Sequence, residues 1–479
     1  MNSSTTGARA GRTLKIWMPE DKAFWQQQGE SIARLNLWIS VPALFLAFAI
    51  WQVWSVVAVS LPSLGFHYST NQLFWLAAAP SLSGATLRIF YSFMVPIFGG
   101  RRWTAISTAS LLIPAVGIGL AVQDPTTSYP TMLLLALLCG LGGGNFSSSM
   151  ANISFFFPKA RKGSALGVNG GFGNLGVSAV QFLSPLVVTA GIFGVLGGEP
   201  QTMLKAGHSS LVWMQNAAFI WVPWIAISAL AAWFGMNDLA DARASFATQA
   251  AIFRSRHNWL MCTLYLGTFG SFIGYAAGFP LLVKALFPDV NPLTYAWVGP
   301  LLGAAIRPVG GWLADRLGGA RVTLWNFVVM ALAVAGVVYF LPKTGGSAFA
   351  LPWGSEQGSF AGFFVMFLLL FLTTGIGNGS TFRMIPVIFL NLRLRGVRTN
   401  DAEALAHANR EGNTEGAAAI GFAGAIGAYG GFFIPKSYGS SIVATGGPEL
   451  ALYGFFAFYL LCIGLTWWFY ARRHAEMPC

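Results

Sequence analysis

The sequence predicts an all-α membrane protein, with twelve transmembrane helices in two pseudo-symmetric bundles of six. Three observations lead there. Only 44 of the 479 residues are charged, 28 basic and 16 acidic, while 55% are hydrophobic. Twelve apolar runs are long enough to cross ~30 Å of hydrocarbon, which takes about 20 residues each. Matching glycine and arginine positions recur in the two halves of the chain.

The charge content alone excludes a soluble enzyme, because about a quarter of the residues of a soluble domain are charged. Disorder is excluded by the apolar surface available for burial. Cys139, Cys262 and Cys462 lie in apolar runs, Cys479 lies apart, and none has CxxC spacing. Neither a disulfide framework nor a metal site is implied, and no cofactor is expected. Residues 1–35 are polar and mixed in charge and lack the apolar core of a signal peptide, so they read as a cytoplasmic tail.

The spans fall near 36–59, 72–97, 104–122, 130–155, 164–193 and 210–235, then 257–283, 294–314, 321–341, 360–382, 413–434 and 449–471. This divides the chain into a first bundle (36–236), a polar cytoplasmic linker (237–256), a second bundle (257–471) and a cytoplasmic tail (472–479). With the N-terminus inside, 22 basic residues lie on the inner side, among them Arg9, Arg101, Arg102, Arg243, Arg316, Arg398 and Arg472. Only Lys205, Lys284, Lys343 and Lys436 lie outside. That asymmetry is the positive-inside pattern. The net charge of +12 is therefore a topology signal, not a sign of a nucleic-acid partner.

Arg88 and Arg307 remain, both inside spans. The loop after span 2, Gly99-Gly100-Arg101-Arg102, matches the loop after span 8, Gly318-Gly319-Ala320-Arg321, at an offset of 219. The same offset carries Arg88 onto Arg307. Gly140, Gly142 and Gly144 match Gly375, Gly377 and Gly379. In spans 5 and 11, Gly167, Gly170, Gly173 and Gly176 match Gly421, Gly424, Gly427 and Gly430. Tandem six-helix repeats are a transporter architecture.

An arginine at mid-bilayer costs roughly 2.5–3.5 kcal/mol on insertion scales and usually has an acidic partner. Every Asp and Glu here falls in a loop, a tail or at a span edge, and the five histidines do likewise. Two readings of the arginine pair are open. Each arginine reaches the interface or bonds helix carbonyls, or the pair binds a planar oxyanion, which the guanidinium fork fits and lysine does not. The glycine faces of spans 5 and 11 let backbones pack closely. Asn174 within the first tract is an amide that is either packed or available to donate to an anion. Tyr265 and Phe269 share a face of span 7, Phe146 follows a glycine run in span 4 and Phe48 lies in span 1. These rings are core residues or walls for a flat anion.

Several stretches carry a resemblance. Gly310 to Arg321, with Asp315-Arg316 at its centre, resembles the loop motif of the major facilitator superfamily, which implies a cytoplasmic gate role for Asp315 and Arg316. Gly140 to Phe146, Asn152 to Pro158 and Gly163 to Gly176 resemble a nitrate signature, and Gly421 to Lys436 its second copy. With Asn36 to Val41 and Tyr91 to Trp103, the likeness extends over nearly the whole chain. It is to the bacterial nitrate/nitrite porters of the NarK/NarU type.

The resemblance implies nitrate and nitrite as substrates and Arg88, Arg307, Asn174 and Tyr265 as substrate-binding residues, with Phe146, Phe269 and Phe48 as sandwiching rings. It also implies an inner-membrane, multi-pass protein with both termini cytoplasmic, embedded as a monomer in the lipid bilayer and serving nitrate assimilation. Pro308 departs from the family pattern and is expected to bend span 8 locally. The absence of a titratable group at mid-depth favours nitrate/nitrite antiport, with a proton-coupled symporter as the alternative. A passive channel is disfavoured by the two-fold repeat, and a membrane enzyme by the lack of a catalytic constellation.

Overall fold

The computed structural model describes residues 12–205, 208–240, 251–343, 358–395, 397 and 401–479. Arg9, Arg243 and Arg398, and the middle of the expected linker, lie outside the described residues. Twelve helical segments run through the rest. In the first half these are α1 (Lys22–Leu64), α2 (Thr70–Tyr91), α3 (Gly100–Ala121), α4 (Tyr129–Phe156), α5 (Lys159–Val187) and α6 (Asn216–Gly235). In the second they are α7 (Arg256–Leu286), α8 (Val298–Leu317), α9 (Gly319–Tyr339), α10 (Phe360–Leu394), α11 (Ala402–Thr445) and α12 (Glu449–Ala471).

Ten of the twelve, among the described residues, are long and apolar enough to cross a membrane. The two that fall short are α5 and α8. Lys159, Arg161, Asn169, Asn174 and Gln181 dilute α5, while Arg307, Asp315 and Arg316 dilute α8. They are long enough, at 29 and 20 residues. Of their polar residues, Asn169, Asn174 and Gln181 on α5 are buried against protein.

Local chemistry explains the helix ends. Ser69 and Gln72 form a reciprocal capping box at the start of α2, satisfying two otherwise unpaired N–H groups. Gly99 and Gly318, matched by the repeat, both have positive φ, 85° and 89°. Only glycine takes that conformation without strain, so each half makes the same turn between its second and third helix. The equivalence extends to the next residues. The Arg101 N–H donates to Asp238 Oδ1 at 2.8 Å, and the Ala320 N–H donates to the Cys479 carbonyl at 2.9 Å. In each half, chain beyond the sixth helix thus folds back onto the same turn.

Several boundaries differ from the sequence expectation. Helix α1 begins 14 residues earlier than span 1, because the Asp21 side chain accepts from the Ala23 and Phe24 N–H groups. The residues before it are docked as well. Thr13–Leu14 (β1) pairs in parallel with Asp238–Leu239 (β4), and Trp17 Nε1 donates to the Phe155 carbonyl at 3.1 Å. The expected start of span 6 at residue 210 is corrected. Gln201–Lys205 (β2) and His208–Val212 (β3) form an antiparallel hairpin, and α6 starts only at Asn216. Strands this short and mixed in polarity, Gln201–Lys205 and His208–Val212, escape a reading tuned to apolar runs. Pro308 lies inside an uninterrupted α8, a placement membrane helices tolerate.

The end of the bundle that carries Arg101, Arg102, Arg316 and Arg472 is called the basic end below. Five hydrogen bonds join the two halves among the described residues. They are Arg88 to the Gly424 carbonyl, Thr86 with Tyr429, Ser178 to the Trp297 carbonyl, Gln181 to the Ala276 carbonyl and Lys436 to Asn71. All lie at the level of Arg88 or farther from the basic end.

Candidate anion site between the two halves

Arg88 projects from α2 and is fully buried. Its Nε donates to the Gly143 carbonyl at 2.8 Å and its Nη1 to the Gly424 carbonyl at 2.7 Å. Three ring centres surround the guanidinium carbon: Phe146 at 4.7 Å, Trp51 at 4.9 Å and Phe269 at 5.1 Å. Aromatic faces stabilise a desolvated cation. Nη2 has no hydrogen-bond partner among the described residues.

Arg307, on α8, is half-buried. Its Nη2 donates to the Tyr265 hydroxyl at 3.4 Å, its guanidinium carbon lies 5.3 Å from the Phe382 ring, and its buried Nη1 has no partner among the described residues. Tyr265 stacks on Phe269 (5.5 Å, 24°) and Phe269 on Phe146 (6.3 Å, 24°). A continuous path therefore runs from Arg88 through Phe269 and Tyr265 to Arg307. The two arginines are close enough to act on each other electrostatically. Among the described residues no carboxylate pairs with either arginine: Asp315 pairs with Arg383, and Glu415 with Arg393.

Buried N–H groups without partners are rare and costly. Here both arginines have one, and they share one aromatic wall. The arrangement offers permanently charged, forked donors to a small planar anion, and offers no nucleophile paired with a base.

Phe146 and Phe269 form the nearly parallel pair expected of walls. Phe48 does not join them. It stands edge-on behind Phe146 (6.1 Å, 90°) and against Trp51 (5.5 Å, 68°), and Trp51 occupies the place beside Arg88 expected of Phe48. Asn174 is buried, with its Oδ1 unpartnered among the described residues. A Cβ on Gly170, four residues earlier on the same face of α5, would lie 3.5 Å from Phe146. That face is turned toward the aromatic wall. No hydrogen bond links Asn174 to either arginine. The repeat equivalent of Asn174, Ala428, is also buried.

The matched glycines of α5 and α11 grade together along the bundle. At Gly167 and Gly421, toward the basic end, a Cβ would have no atom within 4 Å. At Gly170 and Gly424 it would meet Phe146 at 3.5 and 3.6 Å. At Gly173 and Gly427 it would crowd Leu44 and Tyr265, at 2.7 and 2.8 Å. At Gly176 and Gly430 it would collide with the Phe45 carbonyl and with the Gly270 backbone. Close packing on these faces therefore holds only away from the basic end, and Gly167 and Gly421 are unpacked. Asp315 and Arg316 lie at the basic end. Asp315 pairs with Arg383 of the same half, and Arg316 covers Trp312 at 4.3 Å.

Trp51, Gly143 and Phe382 belong to this site and were not singled out from sequence. Trp51 lies three residues after Phe48 on one face of α1, which is a weak signal. Gly143 acts through its backbone carbonyl, which leaves none.

The chain is 53% identical over 462 residues to the nitrate/nitrite transporter NarU of Salmonella typhimurium, covering 96% of each chain. It is 52% identical, with the same coverage, to NarU of Escherichia coli. It is 41% identical over 476 residues to a probable nitrate/nitrite antiporter, NarK2, of Thermus thermophilus, covering 98% of this chain and 99% of that one. The family described as Major Facilitator Superfamily matches residues 43–397. The chain belongs to the major facilitator superfamily, in its nitrate/nitrite porter branch. Among solved structures, a point mutant of the nucleoside transporter NupG is similar with a TM-score of 0.55 at 12% identity, over 90% of this chain and 98% of that one. That likeness concerns the fold alone. In this superfamily chain the arginine path lies where the two halves meet.

Proposed function

We propose that the protein exchanges nitrate for nitrite across the cell inner membrane by alternating access, holding one anion at a time between Arg88 and Arg307. The observation that carries this reading is the pair of arginines itself. They share a wall of Phe146, Phe269 and Tyr265, have no acidic partner among the described residues, and each keeps an unpartnered N–H. Asn174 on the neighbouring face of α5 contributes an amide. The names of the relatives support the choice of anion.

Two like charges repel across a site of low dielectric. A bound monoanion neutralises that repulsion and permits the halves to close over it; without an anion, closure and return are hindered. Exchange follows from this coupling, with no proton required. The closed end is the one with the five cross-half hydrogen bonds. The basic end is cytoplasmic by the positive-inside pattern, so both termini face the cytoplasm and the unpacked glycines Gly167 and Gly421 face the inner opening. The protein works as a monomer in the bilayer.

A ligand that binds the folded state raises its melting temperature. Nitrate and nitrite are expected to stabilise the purified protein in a concentration-dependent way, while sulfate and chloride at equal ionic strength do not. The Arg88→Lys, Arg307→Lys double variant is expected to lose the response. An undiminished nitrate shift in that variant would overturn the assignment.

A further inference from the structure

A groove of about 530 Å³ runs along the outer surface of the first half between α1 and α6, within the ~300–1,000 Å³ typical of small-molecule sites. Trp38, Pro42 and Phe45 wall it on α1, and Trp224, Ile227 and Ala231 on α6. Trp38, Trp224 and Ile227 are each more than half exposed, at 57, 58 and 57%. In a membrane-embedded chain such a concavity meets lipid tails rather than water.

Both walls continue toward the basic end, the α1 wall to its own Arg34 and the α6 wall to Arg12 of the segment before α1. On α1, Arg34 precedes Trp38 by one turn and is exposed. It shares the single carboxylate of Glu30 with Arg161, so the trio keeps a net positive charge. On α6, Phe234 follows Ala231 by three residues, about 4.5 Å along the helix, and is 61% exposed. The Arg12 guanidinium lies 5.9 Å from the Phe234 ring centre, and its Nη1 donates to the Trp233 carbonyl at 3.5 Å. Arg12 makes no ion pair with a described residue. An apolar channel capped at one end by two exposed guanidinium groups complements an amphiphile with a hydrocarbon tail and a phosphate.

We propose that this groove holds an acyl chain of an anionic phospholipid from the leaflet at the basic end, with its phosphate seated between Arg12 and Arg34. The site is separate from the anion path, since none of the groove's lining residues is among the partners of Arg88 or Arg307.

The test is native mass spectrometry of the full chain released from detergent after incubation with phosphatidylglycerol or with phosphatidylcholine of the same chain length. One phosphatidylglycerol is expected to be retained in preference to phosphatidylcholine. Arg12→Gln and Arg34→Gln are each expected to weaken that retention about fivefold, and Arg12→Lys to restore part of it. Ala231→Trp, which fills the groove from a position already facing lipid, is expected to reduce retention of both lipids. Thermal unfolding of each variant in detergent verifies that it is folded. Equal retention of the two lipids, or undiminished phosphatidylglycerol retention in the Arg12→Gln, Arg34→Gln double variant, would overturn the headgroup assignment. Unchanged retention in Ala231→Trp would overturn the groove.

Discussion

Arg88, in the first half of the molecule, donates a 2.7 Å hydrogen bond from Nη1 to the carbonyl oxygen of Gly424 in the second. A permanently charged side chain is thus held by a backbone dipole across the plane where the two halves meet. The contact satisfies one of the guanidinium's donors and leaves Nη2 without a partner among the described residues. A carbonyl is a weaker partner for a cation than an anion is, so under the proposed function nitrate gains by replacing it here.

Arg88→Lys is expected to slow transport severely while preserving charge. One ammonium cannot reach Gly143 and Gly424 at the angles a guanidinium spans. Losing one hydrogen bond to a charged group costs about 1.5–3 kcal/mol, or roughly 10- to 150-fold. Initial rates of labelled nitrite exchange in liposomes, normalised to folded protein, measure it. Rates within twofold of wild type would remove the bidentate argument.

Tyr265→Phe keeps the stack on Phe269 and removes only the hydroxyl that accepts from Arg307. Its expected signature is a roughly tenfold weaker apparent affinity for nitrate, with the melting temperature of the anion-free protein little changed. Concentration dependence of the thermal shift separates the two effects.

The glycine gradient gives opposite expectations for two chemically identical changes. At Gly430 an added methyl would overlap Gly270, and overpacking costs about 1–3 kcal/mol. Gly430→Ala is therefore expected to melt several degrees lower. At Gly421 the methyl would have no neighbour within 4 Å. Gly421→Ala is expected to melt like wild type yet to exchange more slowly, because the proposed alternating-access cycle closes this open face. Equal melting temperatures for the two variants would contradict the packing difference.

Chain beyond α12 is clasped at the basic end. Glu476 meets Arg256 and His257, the His257 contact being 3.1 Å. Burial works to raise the Glu476 carboxyl pKa, but the hydrogen bonds and charges of His257 and Arg256 outweigh it and hold the pKa below the ordinary 4.5. A depressed carboxyl contributes stability above its unfolded value and loses it as the pH falls through the folded one. The clasp is thus intact at neutral pH and released in acid. Burial also pushes the Cys479 thiol up to about 12, which keeps it protonated and slow to react. Maleimide labelling of Cys479 at pH 7 is expected to be slow in wild type and faster in Glu476→Ala.

Much of this architecture is legible in the sequence. The arginine pair announced itself because a charge inside an apolar run is costly, and the matching turns because glycine at positive φ has few substitutes. Asn174, Tyr265 and Phe269 were found through resemblance more than through physics, since an isolated amide or ring in a span has an adequate packing explanation. What stayed hidden depends on partners far along the chain. The early start of α1, capped by Asp21, is docked onto α5, where Glu20 accepts from the Lys159 N–H and Glu30 pairs with Arg161. Periodicity within residues 1–35 carries no trace of that docking. Phe48 lost its place to Trp51 by a rotation of one residue triplet along α1, below the resolution of pattern reading. The acceptors of Arg88 are backbone carbonyls, identical at every residue.

The most direct test of the account is labelled nitrite uptake into liposomes loaded with nitrate, with nitrite, or with neither, each with and without an imposed proton gradient. Obligatory exchange on the arginine pair predicts uptake only into anion-loaded vesicles, at rates indifferent to the gradient. Proton-driven uptake into anion-free vesicles would contradict it and favour the symport reading.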